Sequence, residues 1–116
     1  MNQWIDACSI DDLQANSGVC ALVENQQVAI FYMPDDNAVY AINNYDPFSH
    51  INALSRGLIG DIKGEPMVAS PIYKQHFSLK TGRCLEDENI RVETYAIRIN
   101  NARVEINTNI TIEEAA

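Results

Sequence analysis

Apolar and polar residues alternate most cleanly near the C-terminal end of the chain, where Tyr95, Ile97 and Ile99 fall on one face of an extended segment and Thr94, Ala96 and Arg98 on the other. That period of two predicts a strand over residues 91–99. Asn100-Asn101 supply a turn into a partner strand from Ala102 to Ile106, a terminal hairpin. Upstream, Val19 to Glu24 and Gln27 to Met33 are β-branched and aromatic runs split by Asn25-Gln26, the spacing of a second hairpin. Pro34-Asp35-Asp36-Asn37 read as a turn and Ala38 to Asn43 as the next strand, so these three strands form an antiparallel meander. Near the start, Trp4, Ile5 and Ala7 suit a short strand. Ser9 then caps a helical turn through Leu13, with Asp12 in capping-box position and Asn16-Ser17-Gly18 as the stop.

Between Asn44 and Pro66 the periodicity fails, and Gly57, Gly60 and Gly64 punctuate a stretch too long for an ordinary connection. Met67 to Ala69 resume as a short apolar strand, His76 to Lys80 lead into a Thr81-Gly82 turn, and Glu86, Asp87 and Glu88 make an acidic exposed link. Many short strands with turns between them predict an all-β fold, an antiparallel sandwich or partly open barrel with one short helix near the N-terminus. The organisation expected is a single domain over residues 1–107, a smaller loop-rich subdomain at about 44–82 within it, and a polar tail at 108–116.

Composition narrows the function classes. An apolar fraction of 47% over 116 residues supports a fixed core. A net charge of -8 with eight scattered Lys and Arg excludes a phosphate backbone as the natural partner and matches solubility or a basic protein surface. Neither a cationic leader nor an eighteen-residue apolar run occurs, so the expectation is a cytoplasmic protein with no membrane contact. Cys8, Cys20 and Cys84 are odd in number and widely spaced, which predicts reduced, mostly buried thiols rather than disulfides or a metal knuckle. Cys20, in an apolar strand, is expected to be inert.

Chemistry, if any, belongs to two proline-bearing loops, Asp46-Pro47-Phe48-Ser49-His50 and Ser70-Pro71-Ile72-Tyr73-Lys74-Gln75-His76-Phe77. Asp46, His50 and His76 make a weak facial set for a metal, since nothing local orients them. Gly57-x-x-Gly60 lacks the Lys-Ser/Thr ending of a phosphate loop, and Arg56 and Lys63 beside it read as solvated loop charge.

The two loops resemble the cluster-binding loops of Rieske ferredoxins, whose pattern is Cys-x-His followed by Cys-x-x-His. Pro47, Pro71, Phe77 and Thr81-Gly82 keep the frame, but the four ligand positions carry Asp46, Phe48, Ser70 and Tyr73. Carboxylate, phenyl, hydroxyl and phenol do not replace two thiolates and two imidazoles, so no cofactor is expected in this chain. From Trp4 to Ile106 the chain resembles the small subunits of assimilatory NAD(P)H-dependent nitrite reductases, through the Trp and Asp-Asp-Leu start, Asp46-Pro47-Phe48, Arg56-Gly57-Leu58-Ile59-Gly60 and the Pro71 to Phe77 run. The resemblance implies a Rieske-like fold and a non-catalytic accessory subunit. Its partner is a large catalytic subunit holding FAD, an iron–sulfur cluster and sirohaem, which reduces nitrite to ammonium. A stand-alone Rieske-type electron carrier, or another protein-binding β-domain of a redox complex, is the alternative. Phe48, Tyr73 and His76 are the expected contacts with the large subunit, because rigid aromatics suit interface centres. A second arrangement stays open, in which Phe48 and Tyr73 turn inward and fill the space a cluster would take.

Overall fold

In the computed structural model, which describes residues 4–108, the first strands are β1 (Ile5–Ser9), β2 (Ser17–Val23), β3 (Gln26–Met33) and β4 (Ala38–Asn43). Short strands follow: β5 (Tyr45–Asp46), β6 (Ile51–Asn52), β7 (Leu58–Ile62), β8 (Glu65–Ala69) and β9 (His76–Ser78). The long terminal pair is β10 (Thr94–Asn100) and β11 (Arg103–Asn107). Six of these form one antiparallel sheet in the order β1-β11-β10-β4-β3-β2, whose edge strands β1 and β2 approach each other so that the sheet nearly closes. The other two sheets, β5-β6 and β7-β8-β9, lie in the part of the chain between β4 and β10. Among the described residues no helix is long and apolar enough to cross a membrane. The polar tail expected at 108–116 lies, beyond Thr108, outside the described residues.

β3 does not alternate because both of its faces are covered. Val28 and Ile30 enter the cluster inside the large sheet with Val23, Tyr95, Val104 and Ile106. Ala29, Phe31 and Met33 enter a second cluster with Leu54, Val68, Phe77 and Leu79, which glues the loop-bearing sheets to the large one. The two loops therefore stand on a packed core.

The helix expected near the N-terminus is a single 3-10 turn, Ile10–Asp12. Ser9 and Asp12 form the capping box, yet the turn ends at Leu13 and Asn16 takes a left-handed conformation, so Ser17 and Gly18 open β2 instead of stopping a helix. At Gly18 a Cβ would stand 2.4 Å from the Ser55 carbonyl, which explains why glycine rather than a stop residue is needed there.

Both expected hairpin turns sit one residue from their observed places. The first is Glu24-Asn25, with Val23 paired to Gln26, and the second Asn101-Ala102, with Asn100 paired to Arg103; all four turn residues have positive φ, as two-residue hairpins require. Distant partners decide these registers. The Tyr95 hydroxyl donates to Gln26 Oε1 at 2.7 Å, which holds Gln26 in the strand, and the Ala102 carbonyl accepts from Ile10 N–H at 3.0 Å. The strand expected over 91–99 begins only at Thr94, because Arg91 bridges Arg83 and Val92 N–H donates to the Gly82 carbonyl. β7 was not expected at all: it is an edge strand with Leu58 76% exposed, so no buried face marks it in the sequence.

Tyr95 is buried, and its oxygen also accepts from Asn43 Nδ2 at 2.9 Å. Burial pushes its pKa up to about 12; the Asn43 donor offsets this in part, and the Glu93 carboxylate adds to it. Because the folded value lies above the ordinary phenol value, the neutral ring stabilises the fold fully below about pH 10, and that contribution is lost as pH rises toward 12. Ultraviolet titration of the five tyrosines is expected to show one ionising near pH 12 together with unfolding. The Tyr95→Phe variant is expected to lack that step.

Candidate functional site

Asn44, buried at the end of β4, fastens the first loop to the large sheet. Its carbonyl accepts from Ala53 and Leu54 N–H, its Oδ1 accepts from Ser55 N–H at 2.6 Å, and its Nδ2 donates to Gln27 Oε1 at 3.1 Å. Nothing in its sequence surroundings marks it as a hub, since a lone Asn between strands reads as a turn residue.

From that anchor the chain enters the loop at Asp46, which is fully buried. Asp46 Oδ2 accepts from the Ser70 hydroxyl at 2.5 Å and Oδ1 from Phe48 N–H at 2.9 Å. Ser70 is equally buried, and its Oγ also accepts from Ile72 N–H at 3.2 Å. The two positions that carry cysteine in the Rieske pattern are thus joined directly, a carboxylate and a hydroxyl closing the gap between the loops. Burial works to raise the Asp46 pKa, but the hydrogen bonds from Ser70, Phe48 and Ser49 outweigh it and hold the carboxyl below its ordinary value.

The two histidine positions separate in space and environment. Phe48 is half-buried and leans on the core beneath the loops, its ring 6.1 Å from that of Phe77 at 51°. Tyr73 points the other way and is 60% exposed, beside the exposed Ile72. Phe48 therefore takes the inward arrangement and Tyr73 does not. With Tyr45 and Ile51, both exposed on the paired β5 and β6, Ile72 and Tyr73 give this end of the molecule four uncovered apolar side chains.

Each histidine has its own partner. His50 Nδ1 lies 2.9 Å from the Tyr45 hydroxyl. His76 Nδ1 lies 2.7 Å from Glu86 Oε2, and its backbone N–H donates to Glu86 Oε1 at 2.8 Å. Burial works to raise the Glu86 pKa, but the His76 backbone and ring lower it further. Glu86 was expected to be part of a solvated acidic link; it is exposed, yet it ties that link to the second loop. Asp46, His50 and His76 do not converge, and among the described residues no three His, Cys, Asp or Glu side chains form a set that would hold a metal ion.

The cysteines depart from expectation in one respect. Cys84 is buried and Cys8 half-buried, but Cys20 is exposed, because its side of β2 faces outward. Its thiol still receives Asn44 Nδ2 at 3.5 Å, and partial burial of the sulfur raises its pKa, so the thiol is the resident form at neutral pH.

Comparison with known proteins agrees with this geometry. The family described as Rieske-like [2Fe-2S] domain matches residues 3–107. The nitrite reductase (NADH) small subunit of Escherichia coli K12 is 47% identical over 106 residues, 91% of this chain and 98% of that one. The NMR structure of the E. coli protein NirD superposes with a TM-score of 0.83 at 47% identity, covering 91% and 96% of the two chains. A third relative is of another kind: 101 residues, 87% of this chain, are 38% identical to a stretch making up 10% of the nitrite reductase [NAD(P)H] large subunit of Klebsiella oxytoca. The [2Fe-2S] cluster that the domain description implies does not fit the donors at its four positions. A buried carboxylate already bonded to a hydroxyl, an inward phenyl and an outward phenol supply neither the two thiolates nor the two imidazoles it requires.

Proposed function

Because this chain belongs to the nitrite reductase small subunits of the Rieske-like domain family, we propose that it works as their accessory subunit, binding the large subunit of an NAD(P)H-dependent nitrite reductase through the end formed by its two loops. The observation that carries this reading is the pair Asp46–Ser70, which shuts the space between the loops that a cluster would span and leaves the loop tips as a rigid apolar surface. The Klebsiella oxytoca relative supports the partner, since there a homologous stretch is part of the large chain itself. FAD, an iron–sulfur cluster and sirohaem belong in this reading to the large subunit, as does the six-electron reduction of nitrite to ammonium during nitrate assimilation in the cytoplasm. The small chain itself holds no cofactor and no catalytic group.

Within the surface the residues divide the work. Tyr73 supplies the exposed ring and His76, held by Glu86, a polar rim; Phe48 packs on the core under the first loop, against Phe77. Tagged small chain is expected to co-purify from its source with a large chain absorbing as flavin and haem. Recovery of the small chain alone would count against the assignment. Tyr73→Ala is expected to weaken that complex about 30-fold with an unchanged melting temperature, the behaviour of an interface anchor. Phe48→Ala is expected to lower stability by about 3 kcal/mol, since it empties a site against the core. Equal loss of stability in both variants would reduce Tyr73 to a packing residue.

A further inference from the structure

Arg83 and Arg91 stand directly opposite each other in an isolated antiparallel bridge. Like charges placed across a strand pair repel and destabilise it. The chain has sixteen acidic residues and only eight basic ones, yet among the described residues neither guanidinium is in an ion pair; the basic partners are His76, Arg98 and Arg103. A repulsion kept in the midst of so much available carboxylate points to a group that arrives from outside.

The two arginines line a cleft of about 190 Å³ with Glu65, Thr81 and Leu85. Arg91 Nη2 donates to the Thr81 carbonyl at 3.2 Å, which orients its guanidinium before anything binds. Glu65 lines the same cleft, but its Oε2 accepts from the Ser78 hydroxyl at 2.6 Å and among the described residues it forms no ion pair with either guanidinium. Arg91 also lines the neighbouring cleft with Tyr45, Pro47 and Glu93, so the arginine pair borders the first loop, and among the described residues Glu93 forms no ion pair with it. Two guanidinium forks from opposed positions match a carboxylate, which each can grip with parallel N–H donors.

We propose that Arg83 and Arg91 receive a carboxylate side chain of the large subunit, a charged contact continuous with the loop-tip surface. This inference rests on the accessory-subunit reading given above. A protein carboxylate is favoured over a free anion by the continuity with Tyr45 and Pro47 and by Leu85, which is partly exposed at the same cleft and offers apolar contact. In such a contact the arginines set register and partner choice, and their attraction is screened by salt.

The test is titration of purified large subunit with the small chain and its variants at two salt concentrations. Arg83→Ala with Arg91→Ala is expected to weaken binding at least about 30-fold at low salt and to remove most of the salt dependence. Replacing both by Lys is expected to recover only part of the affinity, because an ammonium lacks the planar fork. Arg83→Ala alone, which leaves the Arg91–Thr81 bond in place, keeps the test meaningful should the double variant fold poorly. Wild-type binding that these variants leave unchanged overturns the proposal and spares the subunit assignment. Failure of the wild-type chain to bind overturns both. In a parallel arm, inorganic phosphate and acetate are titrated into the isolated chain and followed by NMR of the arginine side chains. Saturation by phosphate at low millimolar concentration overturns the protein-carboxylate assignment in favour of a small-anion site.

Discussion

Replacing Asp46 by alanine is expected to lower the stability of the fold by about 4 kcal/mol, because it leaves the Ser70 hydroxyl and the Phe48 N–H buried without their acceptor. For a domain of this size that is a fall in melting temperature of roughly 20 °C. Asp46→Asn keeps one acceptor oxygen and is expected to cost about half as much. The same bonds hold the Asp46 carboxyl below its ordinary pKa, so its contribution is present above the unfolded value, about pH 4, and is lost as pH falls through the folded value. Acid unfolding followed by circular dichroism is expected to steepen below pH 4 in the wild type and to flatten in Asp46→Asn. An Asp46→Ala variant that melts within a few degrees of the wild type would show that the loops are held by the core alone. The result matters for function because the proposed docking surface exists only while both loops stay at one end of the molecule.

The second large effect is expected at Gly82. Its φ is +77°, and a Cβ there would lie 2.0 Å from the Val92 carbonyl oxygen. That oxygen belongs to backbone, so no side chain can swing aside. Gly82 also accepts from Val92 N–H and donates to the Ser78 carbonyl, both at 2.8 Å, which locks the turn after β9 against the segment leading into β10. Gly82→Ala is expected to cost about 3 kcal/mol, combining the strain of a left-handed alanine with overpacking. Chemical denaturation measures it. Because Arg83 follows Gly82 and Arg91 precedes Val92, the same variant is expected to spread the two guanidinium groups and weaken the charged contact with the large subunit. A variant of wild-type stability would mean that the 82–92 pairing yields easily, and the cleft between the arginines would lose its preorganisation.

Much of this was legible in residue order. The meander of β2, β3 and β4 was visible because long apolar runs with proline and asparagine turns have few other uses, and β4 was read with its observed bounds. The frame of two proline-bearing loops and the loss of all four ligand types were legible as well, since donor chemistry is a property of residue identity. Turn positions were misread by one residue where a remote side chain chose the register, as Tyr95 does for Gln26. The edge strand β7 went unread because it presents no buried stripe, and the exposure of Cys20 because strand propensity does not tell an outward face from an inward one.

What residue order determined by itself was therefore a β fold with two proline-bearing loops, and, through the family resemblance, four ligand positions that carry no cluster donor. Only the tertiary structure decided that Asp46 and Ser70 bond to each other, that Phe48 turns in and Tyr73 out, and that Arg83 faces Arg91. The physical reason is separation along the chain. Asp46 and Ser70 are twenty-four residues apart and Arg83 and Arg91 eight, whereas local periodicity records only the two faces of a residue's own strand. Which neighbour fills the space beyond each face depends on how the whole sheet curls, and that is settled by packing rather than by pattern.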